Sequence, residues 1–168
     1  MNKIAIKLLS LAAFLAISLF ATNAFTQPRI HALEHAGFFQ DLLFIFPNAN
    51  GYQVLDNSEA ENTIQIIQMF DDTTNLGFVY YQSVQGFVDY ISYFVGIDIN
   101  GNFTNFLVTS SYETQGFGSR IETTEWSDLI IGHDSSQPID VLTGATGTTQ
   151  PIIEALLNAH KDFQLRSN

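Results

Sequence analysis

The sequence predicts an α+β fold, an antiparallel curved sheet flanked by helices, preceded by a separate apolar segment at the N-terminus. Three observations predict it. Apolar residues recur at helical spacing after residue 30 and stop at a cluster of helix breakers. A succession of short β-rich runs follows, joined by turn signals and not by helices, so the layout does not alternate as βαβ units do. A last amphipathic stripe then reads as a helix. The 168 residues suit one domain, and a chain of this size buries roughly two-thirds of its unfolded surface, enough for a core without metal or disulfide staples. With 46% hydrophobic residues, intrinsic disorder is excluded.

The elements follow in order. Lys3 and Lys7 are the only charges before Arg29, and Leu8 to Ala21 is apolar except for Ser10 and Ser18. A basic start, an apolar stretch and small residues at Thr22 and Ala24 read as an export signal over residues 1–24, cut after Ala24. An uncleaved membrane anchor is the open alternative, since residues 4–25 nearly supply the ~20 apolar residues of a span. Either way the two lysines stay in the cytoplasm and residues 25–168, the domain, are extracytoplasmic, in the periplasm or at the outer face of the membrane. Without residues 1–24 the basic residues are Arg29, Arg120, Lys161 and Arg166 against 17 acids, a net charge of −13.

Ile30 to Phe46 reads as a helix with Leu33, Phe38, Leu42, Leu43 and Phe46 apolar, ended by Pro47-Asn48-Ala49-Asn50-Gly51. Strands are predicted at Tyr52–Leu55, Thr63–Phe70, Gly77–Tyr81, Tyr90–Ile97 and Phe103–Thr109, with a turn at Asp71–Asn75. Asn100-Gly101 between the last two predicts a tight hairpin. Trp126–Ile131 reads as a short helix, and Gln150–Phe163 as the last one, with a stripe of Ile152, Ile153, Leu156, Leu157 and Phe163.

Several chemistries are excluded or poorly supported. There is no Cys, so thiol catalysis and Cys-ligated metals are absent. A formal charge of −11 gives nothing to neutralise a row of phosphates, so nucleic acid is not a partner. Asp98-Ile99-Asn100-Gly101-Asn102 resembles the start of a calcium loop but has Gly fourth where the loop needs it sixth, which favours a plain turn. His31-Ala32-Leu33-Glu34-His35 fits a short zinc-peptidase string, but five residues match readily by chance, and a solvated helix face is the simpler reading. No catalytic residue and no metal ligand is assigned.

Two Gly-and-hydroxyl clusters carry the chemistry. One is Glu113-Thr114-Gln115-Gly116-Phe117-Gly118. The other, Asp140 to Thr149, is a hydroxyl-rich loop running into the last helix. Free N–H groups and the positive dipole end make such a place suited to a phosphate. Plain capping by Thr148 or Thr149, with Pro151 in the first turn, accounts for the same residues and is compatible with phosphate binding.

Asp140-x-x-Thr143-Gly144-Ala145-Thr146 resembles the flavinylation motif of the FMN-binding domain family, which includes the extracytoplasmic FMN subunits of the Rnf and Nqr electron-transport complexes. Glu113 to Gly118 resembles the family's Glu-Thr-Pro-Gly-Leu-Gly signature, and Val95 to Gly101 its central hairpin, in the family's order. The resemblance implies that a flavin transferase, using FAD, esterifies FMN to the Thr146 hydroxyl, and that Asp140, Thr143, Gly144 and Ala145 are what it reads. Glu113, Thr114, Gly116, Phe117 and Gly118 match the loop that lies against the isoalloxazine. Gln115 and Phe117 depart from the family's Pro and Leu, and Thr148 is a fallback acceptor. The implied function is electron relay, as a Rnf-like subunit or a stand-alone carrier, with membrane redox-complex subunits or other carriers as partners. A flavin-free interaction module and a reductase of a soluble acceptor are the alternatives. A chain this acidic is expected to disfavour the reduced, anionic flavin, within the ~8 Å reach that salt leaves.

Overall fold

A computed structural model of the protein describes residues 12, 37–55 and 62–167. The expected export signal or anchor and the His31–His35 string lie outside the described residues. By contacts the chain divides into two units, residues 1–40 and 41–168. Of the first, residues 12 and 37–40 are described and are helical. The second holds the sheet and the site. Among the described residues no helix is long and apolar enough to cross a membrane.

Residues 37–45 are helical (α1) and end before the Pro47 cluster, as the breakers require. Five strands follow, β1 (Gly51–Leu55), β2 (Thr63–Asp71), β3 (Thr74–Gln85), β4 (Tyr90–Asp98) and β5 (Phe103–Ser110). They form one antiparallel meander in the order β1-β2-β3-β4-β5. The curved sheet and its helices make the α+β architecture that the sequence predicts. After β5 come a 3-10 turn (Gly118–Glu122), α2 (Thr124–Ile130) and α3 (Thr146–Ser167).

Three features of the sheet differ from expectation, each for a physical reason. The turn after β2 is only Asp72-Thr73, and β3 runs from Thr74 to Gln85. Asp72 takes φ +53°, and the Asn50 side chain holds it there by accepting its N–H (2.7 Å). The far end of β3 continues through polar Gln82 because that side chain is satisfied inside the core. Its amide donates to the Ala155 carbonyl (2.9 Å) and accepts from the Tyr93 hydroxyl (2.9 Å). In the third case, the β4–β5 hairpin is not a two-residue turn. Gly101 N–H closes on the Asp98 carbonyl (2.9 Å), and only Gly101 (φ +85°) enters the left-handed region. That is a turn followed by a glycine bulge, with the Asp98 carboxylate occupied by the N–H groups of Asn100 and Asn102.

The core lies between the sheet and α2–α3. Ile91, Tyr93, Val95 and Ile97 alternate along β4 and meet Ile152, Ala155, Leu156 and Ala159 of α3 in one buried cluster. Each fully buried Ile or Leu there contributes roughly 1.5–3 kcal/mol. The other face of β4 is covered too. Gly96 carries no side chain, and a Cβ at that position would overlap Ile45 and Thr104. The Tyr80 hydroxyl donates to Asp162 of α3 (3.2 Å), and burial, reinforced by that carboxylate, pushes its pKa well up. The sheet therefore fixes α3 along its length, and the start of α3 is where the site sits.

Candidate functional site

The two glycine clusters fold into two turns of one type. In Thr114-Gln115-Gly116-Phe117 the Phe117 N–H bonds to the Thr114 carbonyl (3.1 Å), and Gly116 takes φ +78°. In Leu142-Thr143-Gly144-Ala145 the Ala145 N–H bonds to the Leu142 carbonyl (2.9 Å), and Gly144 takes φ +83°. A positive φ at the third residue alone defines a type II turn, which wants Gly there and favours Pro before it. Gln115 stands at that Pro-favoured position. Each glycine is thus required by its backbone, and both are exposed.

The second turn feeds directly into α3. The Ala145 carbonyl accepts the first helical N–H bonds, from Thr148 (3.0 Å) and Thr149 (2.9 Å). Hence the helix begins at Thr146, four residues earlier than the sequence suggested. Thr148 and Thr149 are not N-caps. They are buried in the first turns, where the Thr149 hydroxyl bonds back to the Ala145 carbonyl (3.2 Å). Pro151 stands inside the helix and offers no N–H to the Gly147 carbonyl four residues back. Thr146, the first helical residue, is exposed.

A cavity of about 460 Å³ opens between these segments. That volume is within the range of small-molecule sites. Of the residues that the sequence singles out, Glu113, Thr114, Phe117, Gly118, Gly144, Ala145 and Thr146 line it. Gly116 and Thr143 belong to the turns that shape its wall, and Asp140 is exposed two residues before the second turn. Gly147 and Thr148 complete the helical wall, so the structure brings the two clusters together.

Sequence reasoning missed Phe87. It lies in the β3–β4 turn, is 75% exposed, and lines the cavity beside Gly147. A Cβ on Gly147 would come within 3.1 Å of its ring. Phe117, 59% exposed, lines the same cavity. The signal for Phe87 was available: Gly86-Phe87-Val88-Asp89 places two apolar residues in a turn, where burial of a sheet face gives no reason for them.

Two polar side chains, Glu113 and Arg120, hold the walls. The Glu113 carboxylate accepts the Val88 N–H (2.8 Å) and the Thr148 hydroxyl (2.6 Å). The Arg120 guanidinium donates to the Thr143 carbonyl (2.6 Å) and pairs with both carboxylate oxygens of Glu125. The hydrogen bond donated to Glu125 raises the pKa of Arg120, and the same bond holds Glu125 below the usual carboxylate range. Among the described residues no group of three or more His, Asp or Glu is arranged to hold a metal.

Residues 86–161 match the family model described as the FMN-binding domain. The matched segment holds both glycine clusters and the start of α3. The fold is similar to that in the crystal structure of Shewanella oneidensis NqrC, with a TM-score of 0.50 and 15% sequence identity, covering 71% of this chain and 73% of that one. At that identity the likeness is one of fold. No curated protein matches the chain.

Proposed function

We propose that the cavity holds FMN esterified to Thr146, and that the protein relays electrons through it. The observation that carries the reading is the position of Thr146: an exposed hydroxyl on the first residue of a long helix, lining a cavity that two exposed aromatic rings also line. The residues fit the group. The helix start, with its positive dipole end, supports the phosphate. Phe87 and Phe117 are exposed rings in the cavity lining, suited to packing against a planar heterocycle. The fallback acceptor Thr148 is 2% exposed and already bonded to Glu113, which favours Thr146.

In the attachment step, the Thr146 oxygen forms a bond to the phosphorus on the FMN side of FAD. The pyrophosphate P–O bond breaks, AMP leaves with the electron pair, and the hydroxyl proton passes to solvent. Gly144, without a side chain, leaves the approach to Thr146 open for a transferase. When bound, the flavin supplies the redox chemistry; the chain tethers, orients and partly covers it. We place residues 25–168 outside the cytoplasmic membrane, exchanging electrons with membrane redox-complex subunits or other carriers, as a Rnf-like subunit or a stand-alone carrier. Support for that placement is the basic-then-apolar start of the sequence.

Intact mass of the protein exported alongside a flavin transferase tests the reading. The wild type is expected to gain one FMN less one water, and Thr146→Ala to gain nothing. The same spectrum reads whether residues 1–24 are removed. A wild type that stays unmodified while the transferase works on a control substrate would sink the electron-carrier reading and leave a flavin-free interaction module.

A further inference from the structure

We propose that Glu113 is a positioning residue of this site: its carboxylate ties the Phe87 turn to the first turn of the attachment helix and so sets the opening across which the flavin is held. The inference rests on the flavin-site reading but gives Glu113 a different task from contact with the ring system.

The geometry is specific. Three segments far apart in sequence line the cavity, namely the β3–β4 turn, the Glu113–Gly118 loop and the start of α3. Glu113 belongs to the second and bonds to the other two, one oxygen to the Val88 N–H at 2.8 Å and the other to the Thr148 hydroxyl at 2.6 Å. Val88 follows Phe87, and Thr148 lies two residues after Thr146. The carboxylate therefore fixes an aromatic wall against the attachment hydroxyl through the neighbours of each. Two glycines make room for it. A Cβ on Gly86 would meet Glu113 Oε1 at 2.5 Å, and a Cβ on Gly118 would overlap Glu113 Oε2 and come within 2.7 Å of the Thr148 hydroxyl. Neither glycine is in the left-handed region, so backbone freedom does not explain them; space for this carboxylate does at Gly118, and at Gly86 together with space for Ile91. Hydrogen bonds to an ionised carboxylate are roughly twice as strong as neutral ones, so the clasp is strong enough to matter.

The test compares full-length wild type with Thr148→Val, Thr148→Ser and Glu113→Gln, each exported with a flavin transferase. Two readouts are taken: the rate of flavin attachment by intact mass, and acrylamide quenching of the attached flavin's fluorescence. In Thr148→Val, attachment is expected to slow about tenfold, the equivalent of about 1.4 kcal/mol, and quenching to rise. Glu113→Gln, which keeps an acceptor for Val88 but loses the charge, should fall between. Thr148→Ser restores the hydroxyl and should return both readouts to wild type. Attachment and quenching at wild-type level in Thr148→Val, or a failure of Thr148→Ser to rescue, overturns the proposal. If Glu113→Gln does not fold, the Val and Ser pair at position 148 still decides. An unmodified wild type overturns the flavin-site reading itself and the proposal with it, an outcome distinct from a modified wild type with indifferent variants.

Discussion

The turn at Thr114–Phe117 and the turn at Leu142–Ala145 have the same backbone and different braces. The first is held from within its own loop: the Ser119 hydroxyl accepts the Gly116 N–H (3.0 Å), and the Ser119 N–H returns to the Thr114 carbonyl (3.2 Å). The second is held from a distance, by Arg120, which reaches 23 residues along the sequence to the Thr143 carbonyl and is itself steadied by Glu125. A self-braced turn keeps its shape wherever its loop goes. A turn braced by an ion pair keeps its shape only while that pair survives. The loop that carries the proposed attachment site is thus the one open to salt and pH.

The largest effect is expected at the Glu113 carboxylate, which bonds to the helix that follows the second turn and packs against Gly118, just after the first. Gly118→Ala should destabilise the fold by about 1–3 kcal/mol, the usual cost of overpacking, read as a lower urea midpoint with an unchanged slope. Next come the turn glycines. Gly116→Ala and Gly144→Ala each force a side chain into the left-handed region at about 1–2 kcal/mol. Because little surrounds either Cβ position, similar losses at the two sites would show that backbone strain alone is at work. A much larger loss at Gly144 would instead implicate the Arg120 brace, whose Nη1 lies 3.9 Å from that Cβ position. Smaller and opposite in sign, Gln115→Pro fills the Pro-favoured corner of the first turn and should stabilise by about 0.4–1 kcal/mol. A loss there would show that the Gln115 N–H or side chain is needed.

The smallest effect separates the braces by pH. Glu125 is held below its ordinary pKa by Arg120, so its contribution is present above the unfolded carboxylate value and is lost as pH falls through the depressed one. Acidification below the carboxylate range should loosen the Leu142–Ala145 turn and leave Thr114–Phe117 in place. Amide exchange at Ala145 against Phe117 would report it; equal sensitivity of the two amides would break the comparison. Raised salt should act in the same direction, since the pair is exposed.

The same contrast between local and distant bracing explains what could be read in the sequence. Glycines and hydroxyls carry local signals, so both clusters were legible, the second as a loop running into the last helix. The five strands followed from β-rich runs and turn residues. The end of β3 did not, because Gln82 looks like a strand breaker until its partners Tyr93 and Ala155 are known. The early start of α3 was hidden for a related reason: Gly147, Thr148 and Thr149 are poor helix formers, and burial with the Glu113 and Ala145 bonds overrides propensity. Phe87 lay outside every motif, and only the folded β3–β4 turn brings it to Gly147.

Every strand of the meander pairs with its neighbour in sequence. The sheet can therefore assemble through successive hairpins that close only short loops, which is the fast route. Docking of the helices is different: the Asn105–Phe44 bond spans 61 residues and the Gln82–Ala155 bond 73. Docking of α3 closes the longer of these two loops, and the wall bearing Thr146 arrives with it. A chain whose sheet has formed but whose last helix is still undocked has every strand and no cavity, so acquisition of the proposed cofactor would report on a late folding event rather than on the first.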